Sequence, residues 1–285
     1  MKRHLLLFAL WWLAATTATA QFKVFMPEPK CTPDTLGMAQ LLVMYDTRSY
    51  IDTSKQKKPR EEEAILEIGN GLSKFYSYAQ FVCDSVYADD VARKAPQETI
   101  LGHLNQYSNY HLTEVVCKNY PSGQCTVLET VAGSTRLRYE EKTELPQWQL
   151  TEETDSVMGY ACQSAECNYR GRRWKVWYTP AIAVGEGPWK LCGLPGLILK
   201  AEDSEGHYLF TAKGLKQCQP PRPIIAKLAI YEAVSRKQYD KVHERYWNDP
   251  VGFVSGNNPN TTMEVTDEHG NPVRPRGVAH NPIER

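Results

Sequence analysis

Five carboxylate side chains between positions 155 and 203 are the first candidates for chemistry. Two carboxyl groups held roughly 5–9 Å apart can hydrolyse a glycosidic bond by acid–base catalysis. Carboxylates at strand ends and in turns are more often simply solvated. The candidates are Asp155, Glu166, Glu186, Glu202 and Asp203.

Three arginines at the tip of a predicted hairpin are candidates for binding an anion. Arg170, Arg172 and Arg173 surround a glycine in the turn. Guanidinium groups bind phosphate, sulfate or a carboxylated glycan through paired hydrogen bonds. The alternative is a basic turn that only keeps the surface soluble.

Four aromatic side chains in the same region could form a platform for a sugar or a lipid. Three of them lie in segment 174–179, where side chains alternate between the two faces of a strand. One of these faces must enter the core. We take Trp177 and Trp189 as the candidate ligand-binding aromatics, and the other two are Trp174 and Tyr178.

Other kinds of catalytic site are not indicated. A zinc site needs three or four converging ligands, commonly with two at close spacing. The seven histidines are scattered, and no His-Glu-x-x-His or Gly-x-Ser-x-Gly sequence occurs. We therefore predict no metal and no cofactor. The histidines are His4, His103, His111, His207, His243, His269 and His280.

The first 20 residues are typical of a secretory signal peptide. Lys2 and Arg3 precede an apolar run at 5–15, and small residues at 18–20 provide a cleavage site after Ala20. A run of about 11 residues is too short to span a bilayer as a helix. No later stretch is long or apolar enough to do so, so we expect an exported protein without a transmembrane span.

The charge balance does not favour nucleic acid as a partner. Removing Lys2 and Arg3 from the 33 basic residues leaves 31 against 33 acidic ones, a formal charge of −2. A near-neutral chain has no general attraction to nucleic acid or to an anionic membrane surface.

The eight cysteines, all beyond position 20, indicate disulfides if the protein is exported. Eight cysteines allow 105 connectivities, so most pairings stay open. One pairing is predicted: Cys117 and Cys125 are placed symmetrically about the turn at 120–122, so a hairpin closing there would put them opposite each other.

Alternating apolar residues and turn signals predict a mainly β fold, an antiparallel curved sheet or open β-barrel with one or two packed helices. We predict a lead at 21–34, one β-rich domain at 35–250 and a mostly disordered tail at 251–285. The predicted strands are 38–50, 64–68, 72–78, 111–119, 124–130, 135–141, 148–150, 157–169, 174–179, 197–202, 207–212 and 224–234. The predicted helices are 78–94 and 235–248. Ser235 is the predicted cap of the second helix, one face of which carries Tyr239, Val242, His243 and Tyr246. Asn70 and Gly71 predict a hairpin turn between strands 64–68 and 72–78.

The predicted core of the sheet follows a turn rich in glycine and proline. Gly193 and Gly196 bracket Leu194 and Pro195, and proline fixes φ near −65° while glycine adopts angles that other residues avoid. The apolar run 197–199 then predicts a buried strand that reaches the surface at 200–203. We interpret the whole motif as structural. Its residues are Gly187, Pro188, Gly193, Leu194, Pro195, Gly196, Leu197 and Ile198.

Segments 159–165, 170–180 and 187–199 resemble the GLPGLI family of exported proteins from Bacteroidetes, named for the six residues 193–198. Segments 75–78 and 281–284 contribute to the resemblance. It implies an exported protein in the periplasm or at the outer membrane of a Gram-negative bacterium. It implies no activity and no catalytic residue, and the many cysteines of this chain depart from the family pattern.

We therefore expect a non-catalytic envelope protein that binds an unidentified ligand or protein partner through its sheet. One alternative is a hydrolase acting on glycan or peptide through carboxylates near the motif. Another is a structural accessory to outer-membrane assembly or secretion. An apolar cavity would favour a carrier, a cleft with paired, perturbed carboxylates would favour an enzyme, and an exposed apolar patch or unpaired edge strand would favour an accessory.

Overall fold

The structure is a computed structural model that describes residues 31–53, 58–107, 110–257 and 280–285. The predicted signal peptide lies outside the described residues. Within them the strands are β1 Asp34–Ser49, β2 Arg60–Gly69, β3 Ser73–Ser77, β4 Glu114–Lys118, β5 Gln124–Val131, β6 Thr135–Lys142, β7 Gln149–Val157, β8 Tyr160–Tyr169, β9 Arg172–Thr179, β10 Leu197–Asp203, β11 Tyr208–Ala226 and β12 Glu232–Ala233. The helices are α1 Tyr78–Ala92, α2 Gln97–Tyr107, α3 Arg236–Asn248 and α4 Pro250–Asn257.

The twelve strands of the described chain form one open, curved sheet in the order β12-β6-β5-β4-β3-β2-β1-β11-β10-β9-β8-β7. Neighbouring strands are antiparallel except for the short parallel pair β12–β6. The two longest strands, β1 and β11, pair at its centre. The predicted mainly β fold is confirmed. Among the described residues, no helix is both long and apolar enough to cross a membrane.

Curvature brings the two halves of the sheet together. The Tyr169 hydroxyl at the end of β8 donates to the Glu144 carbonyl at 3.0 Å, and the Trp148 indole donates to the Cys192 carbonyl at 2.8 Å. Large aromatic side chains fill the enclosed face, where Trp174 packs against Trp189 and Phe210 with ring centroids 5.8 and 6.2 Å apart. These rings belong to the main hydrophobic core of the protein.

The GLPGLI corner, residues 187–198, is fixed by close backbone packing. Gly193 has a φ of +91°, and a Cβ at Gly196 would overlap the Thr179 carbonyl. The buried Lys118 ammonium ties down the loop by donating to the carbonyls of Gly187 at 2.6 Å and Leu191 at 3.1 Å. The corner therefore needs glycine for steric reasons, and it delivers the buried Trp189 and Lys190 to the interior.

The predicted hairpins and helices are mostly confirmed. β2 and β3 form the hairpin around residues 70–71, and β8 and β9 form the hairpin with the basic turn. Ser235 caps α3 through a capping box with Gln238. Helix α2 was not predicted. The predicted strand 224–234 is instead the end of β11, a 3₁₀ turn at Leu228–Ile230 and the two-residue β12.

The predicted opposition of Cys117 and Cys125 is wrong. The register pairs Cys117 with Thr126 and Cys125 with Lys118, so the two thiols point to opposite faces of the sheet. A shift of one residue reverses the facing of a strand. All eight cysteines are free thiols in this structure.

The predicted tail is ordered at both of its ends. Residues 250–257 form α4, and residues 280–285 pack against the sheet with Asn281 and Ile283 buried. Asp203, predicted to reach the surface, is also buried, and the Arg172 guanidinium at 2.7 Å compensates its buried charge.

Candidate functional site

A cavity of about 540 Å³ lies between helix α3 and the curved sheet. Strands β1, β4 and β5 supply one wall, α3 supplies the opposite wall, and residues 280–285 contribute to its lining. Its ionisable and aromatic lining includes Glu62, His111, Glu114, Glu129, Arg236, Tyr239, His243, Tyr246, Trp247 and His280.

Two glutamates lie side by side on the sheet wall. Glu114 of β4 and Glu129 of β5 are direct partners across the antiparallel ladder, so their side chains leave the same face. The Tyr239 hydroxyl lies 3.1 Å from Glu114 Oε1 and also contacts Glu129. One helix residue therefore joins the two carboxyl groups.

The surroundings separate the acidities of these two groups. Burial and the charge of Glu129 raise the pKa of Glu114. Burial also acts to raise the pKa of Glu129, but the His243 charge and hydrogen bonds from Thr113 and Tyr239 outweigh it and lower that pKa to about 2. Two adjacent carboxylates rarely both ionise. Glu114 thus holds its proton more tightly, while Glu129 carries the negative charge.

His243 is the cation that pairs with Glu129. Its Nε2 lies 2.7 Å from Glu129 Oε2. Burial acts to lower the pKa of His243, yet Glu129 raises it above the ordinary histidine value. His243 also packs on Tyr239, one helical turn earlier, with ring centroids 4.4 Å apart. Helix α3 therefore presents a phenol and an imidazolium to the glutamate pair.

An aromatic stack forms the outer wall of the cavity. The His280 ring lies parallel to Trp247 with a centroid distance of 4.1 Å and an interplanar angle of 9°. Burial and the nearby His243 lower the pKa of His280 to about 4. His280 is consequently neutral at pH 7 and stacks as an uncharged ring.

A cluster of cations lies beside the glutamate pair. The buried Lys190 ammonium donates to Glu141 at 2.7 Å and to Glu284 at 2.6 Å. The Arg170 and Arg236 guanidinium groups also bind Glu284, at 2.9 and 2.6 Å. Three cations from separate parts of the chain thus converge on one carboxylate.

The three predicted arginines have different roles. Arg170 joins the cation cluster, whereas Arg172 is buried and binds Asp203 and residues 281–283. Arg173 is exposed and pairs with Glu166. They do not form a joint clamp in solvent, because alternate residues of β9 point to opposite faces of the sheet.

The predicted aromatic platform does not lie open to solvent. Trp177 is only 6% exposed, with the Lys200 ammonium 4.0 Å from its ring centroid. Trp189 is fully buried and donates from its indole nitrogen to Glu114 Oε2 at 3.2 Å. Trp189 therefore positions Glu114 through a hydrogen bond and does not itself line the cavity.

The five carboxylates predicted from the sequence do not converge. None of them is among the residues that line the cavity. Glu186 binds the buried Lys118 at 2.8 Å, Glu166 binds Arg173, and Asp155 lies 3.7 Å from Lys200. The ladder pairs Glu202 with Lys175 of β9, and Asp203 belongs to the buried Arg172 pair.

Sequence reasoning missed the glutamate pair. Glu114 lies four residues before the end of β4 and Glu129 five residues after the start of β5. This near-symmetry about the turn is the signal that could have found them, but using it requires the register to within one residue. The predicted helix 235–248 puts Tyr239 and His243 on one face, but the sequence does not indicate which groups they contact. The chain positions of these residues show no local motif.

One further cluster resembles a set of metal ligands. Ligand atoms of Asp203, Glu205 and His207 lie within 4.8 Å of one another, the only such group in the described residues. Arg172 binds the Asp203 carboxylate, and Arg285 binds Glu205. Two guanidinium groups already neutralise these carboxylates, so the cluster is built as an ion-pair network.

Comparisons with known proteins give little further information. No protein-family model and no curated protein matches the chain. Among solved structures, it resembles PNGF-II in a P21 crystal form with a TM-score of 0.45 and 13% identity, and in a C2 form with a TM-score of 0.46 and 15% identity. Each match covers 71% of this chain and 32% of the other. The chain thus spans about a third of that protein, a likeness that carries no inference about activity or partners.

Proposed function

We propose that the protein binds a small polar ligand in the cavity between α3 and the sheet. The observation that carries this proposal is the paired Glu114 and Glu129 facing a cavity of about 540 Å³. Binding sites for small molecules commonly enclose ~300–1,000 Å³ and combine apolar walls with a few placed polar groups. Here the walls include aromatic rings, and the polar groups include the carboxyl oxygens of Glu114 and Glu129.

The chemistry of the lining defines the ligand class. Carboxylates accept hydrogen bonds from hydroxyl or ammonium groups, and aromatic rings pack against the apolar faces of sugars. An acyl chain would offer no hydrogen-bond partners to the polar groups that line the cavity, whereas hydroxyl or ammonium groups of a ligand would bond to them. We therefore propose a hydroxylated or amino-bearing ligand, such as a glycan fragment.

The proposed setting is the envelope of a Gram-negative bacterium. The predicted signal peptide and the GLPGLI resemblance support it, and both come from the sequence. The binding role agrees with the non-catalytic role expected from the sequence, but the proposed site lies between α3 and the sheet, and none of the predicted arginines and tryptophans lines it.

Native mass spectrometry of the mature protein from its own envelope tests the binding proposal. We expect a mass excess that disappears on denaturation and is lost in Tyr239→Phe, which removes the hydroxyl shared by both glutamates. Exposed Glu153, which pairs with Lys175, provides the control Glu153→Gln, which should keep the excess. An apo mass for the wild-type protein, with no binding to a panel of chitin and peptidoglycan fragments, would contradict the proposal.

The divided acidities of Glu114 and Glu129 favour a second candidate, a glycan or peptide hydrolase. A protonated and an ionised carboxyl group in one site can act as general acid and general base. Glu114 would donate a proton to the leaving group, and Glu129 would activate water or stabilise positive charge. These are not the carboxylates near the motif that the sequence suggested.

Turnover assays separate the two candidates. Peptidoglycan, nitrophenyl glycosides and casein serve as probes. A hydrolase should lose at least ~100-fold of its rate in Glu114→Gln, because general acid–base catalysis contributes ~10²–10⁴-fold. Its rate should also fall as rising pH removes the Glu114 proton. Binding without turnover would contradict the hydrolase and support ligand binding as the function.

The accessory role receives less support. Strand β7 is an edge of the sheet, but its outward side chains include Glu152, Glu153 and Asp155. Charges on an edge strand oppose pairing with another chain. A role in outer-membrane assembly stays a prediction from the sequence.

A further inference from the structure

Residues 280–285 lie against the sheet like a bound peptide. The Asn281 backbone N–H donates to the Ile51 carbonyl at 2.8 Å, and the Asn281 side chain donates to the Tyr50 carbonyl at 2.7 Å. The Tyr208 hydroxyl donates to the Asn281 carbonyl at 2.6 Å. Asn281 is thus recognised through both its backbone and its side chain.

Arg172 binds the middle of this segment. Its guanidinium donates to the Asn281 side chain at 2.7 Å and to the Ile283 carbonyl at 2.9 Å, and it also binds the Pro282 carbonyl. The Ile283 side chain is buried in the main hydrophobic core. One buried cation therefore binds three successive residues of the segment, and the side chain of the third, Ile283, lies in an apolar pocket.

The cation cluster binds the next residue, Glu284. Lys190, Arg170 and Arg236 all bind the Glu284 carboxylate. The Arg285 backbone N–H then donates to the Arg170 carbonyl at 3.0 Å. Charge-assisted hydrogen bonds are roughly twice as strong as neutral ones, so this position selects an acidic side chain.

The groove has its own supports, independent of the segment. Arg172 is held by Asp203, Lys190 by Glu141, and Arg236 by Asp240. These partners belong to β10, β6 and α3. The cations should therefore keep their positions without residues 280–285, and they would then lack one negative charge.

We propose that this groove is a peptide-recognition site that binds an extended Asn-Pro-Ile-Glu sequence, and that the chain's own 280–285 segment is its occupant in this structure. The partner that it fits is a peptide with the same pattern supplied in trans. The recognition elements are a polar site for Asn281, a buried site for Ile283 and a cationic site for Glu284. This inference goes beyond binding of a small ligand in the cavity.

The test separates the segment from the groove within the full chain. A protease site replaces part of residues 258–279, and the purified protein is cleaved there. Native mass spectrometry then measures whether the fragment carrying 280–285 stays bound. A fluorescent synthetic peptide of residues 276–285 is added, and fluorescence anisotropy follows its exchange into the groove.

We expect the cleaved fragment to stay associated and the labelled peptide to replace it. A peptide with Glu284→Gln should bind at least ~10-fold more weakly, because glutamine lacks the charge that Lys190, Arg170 and Arg236 bind. A peptide with Arg285→Gln is the matched control, since Arg285 is partly exposed and pairs mainly with Glu205 near the surface. Its dissociation constant should lie within ~3-fold of that of the unsubstituted peptide.

Two results would overturn the proposal. In the first, the cleaved protein keeps its fold, but the labelled peptide does not bind, or binds equally well with Glu284→Gln. In the second, cleavage unfolds the protein and added peptide does not restore it, which would make the segment an inseparable part of the fold. Peptide variants leave the groove unchanged, so their effects report recognition directly.

Discussion

The GLPGLI corner and the cavity are built on opposite principles. The corner is continuous in sequence, and its requirements concern the backbone, such as the glycine at 196 that faces the Thr179 carbonyl. The cavity assembles side chains from strands, from a helix and from the 280–285 segment, and its requirements concern charge. The most conspicuous motif of the sequence is thus a structural support, whereas the ionisable cluster has no motif.

The two regions are nevertheless connected. The corner holds Trp189 and Lys190 in the interior, where Trp189 donates to Glu114 and Lys190 donates to Glu284. The corner therefore influences the site without offering a surface to a ligand. Substitutions can separate the steric requirements of the corner from the electrostatic requirements of the cavity.

The largest expected effect is the loss of folding in Gly196→Val. Its side chain would overlap the backbone at Thr179, so we expect destabilisation of about 4 kcal/mol or more. Circular dichroism and thermal melting measure it. Gly102 of α2 has open space around it, and Gly102→Ala should be neutral or stabilising by up to ~1 kcal/mol. A stable Gly196→Val protein would show that the corner is not sterically fixed.

The next effect distinguishes two neighbouring arginines. Arg172→Met leaves Asp203 buried without its cation and should cost about 3–5 kcal/mol in a urea titration. Arg173→Met changes an exposed side chain and should stay within ~0.5 kcal/mol. Equal effects would contradict the distinction between a buried anchor and a surface residue on β9.

A smaller effect is expected for Glu129→Gln, because the glutamine keeps the shape but loses the charge that pairs with His243. We expect a cost of about 1–3 kcal/mol. Against the effect of burial, His243 and the hydrogen bonds from Thr113 and Tyr239 lower the pKa of Glu129 to about 2, and Glu129 in turn raises the pKa of His243. The pair therefore stabilises the fold fully between about pH 4.5 and pH 6.5, and its effect is lost as His243 deprotonates at higher pH.

Chemical denaturation of the wild-type and Glu129→Gln proteins at pH 5.5 and pH 9 measures this prediction. The difference in unfolding free energy should be larger at pH 5.5. Glu153→Gln, on the exposed edge strand, is the control without such a pH dependence. A difference independent of pH would show that the Glu129–His243 ion pair contributes nothing.

The smallest effect concerns His280. Its pKa of about 4 lies below the ordinary 6.5, so the unfolded chain binds more protons between these values and stability falls as the pH drops through this window. His280→Phe keeps a ring on Trp247 without a titrating group. At pH 5 the variant should melt at a higher temperature than the wild type, by roughly 2–4 °C for each kcal/mol that its unfolding free energy increases.

At pH 7 the His280→Phe and wild-type proteins should melt alike, because His280 is neutral in both the folded and the unfolded chain. The comparison at pH 7 therefore controls for the loss of the imidazole itself. An equal acid dependence of both proteins would contradict burial of His280 against Trp247.

Local patterns predicted much of the fold. The alternation of 174–179, the turn at 70–71 and the Ser235 cap all act within a few residues, and the structure confirms the corresponding elements. Helix α2 escaped prediction because none of its side chains is buried, which leaves no apolar stripe to detect. The cysteine pairing failed by one residue of register.

The candidate site could not be predicted in the same way. Glu114 and Glu129 look like ordinary polar residues of an alternating strand until the ladder pairs them and α3 covers them. Arg172 looks like part of a solvated turn until residues 281–283 cover it. Each assignment depends on a neighbour that is distant along the chain.

The sequence by itself determined the mainly β class, the hairpins and the need for glycine in the corner, because backbone sterics and side-chain alternation are local properties. Only the tertiary structure decided which ionisable groups meet. The lowered pKa of Glu129, the raised pKa of Glu114 and the binding of residues 280–285 arise from burial and from partners that curvature of the sheet brings within about 3 Å. Electrostatic interactions depend on distance and solvent exclusion, and neither is encoded in spacing along the chain.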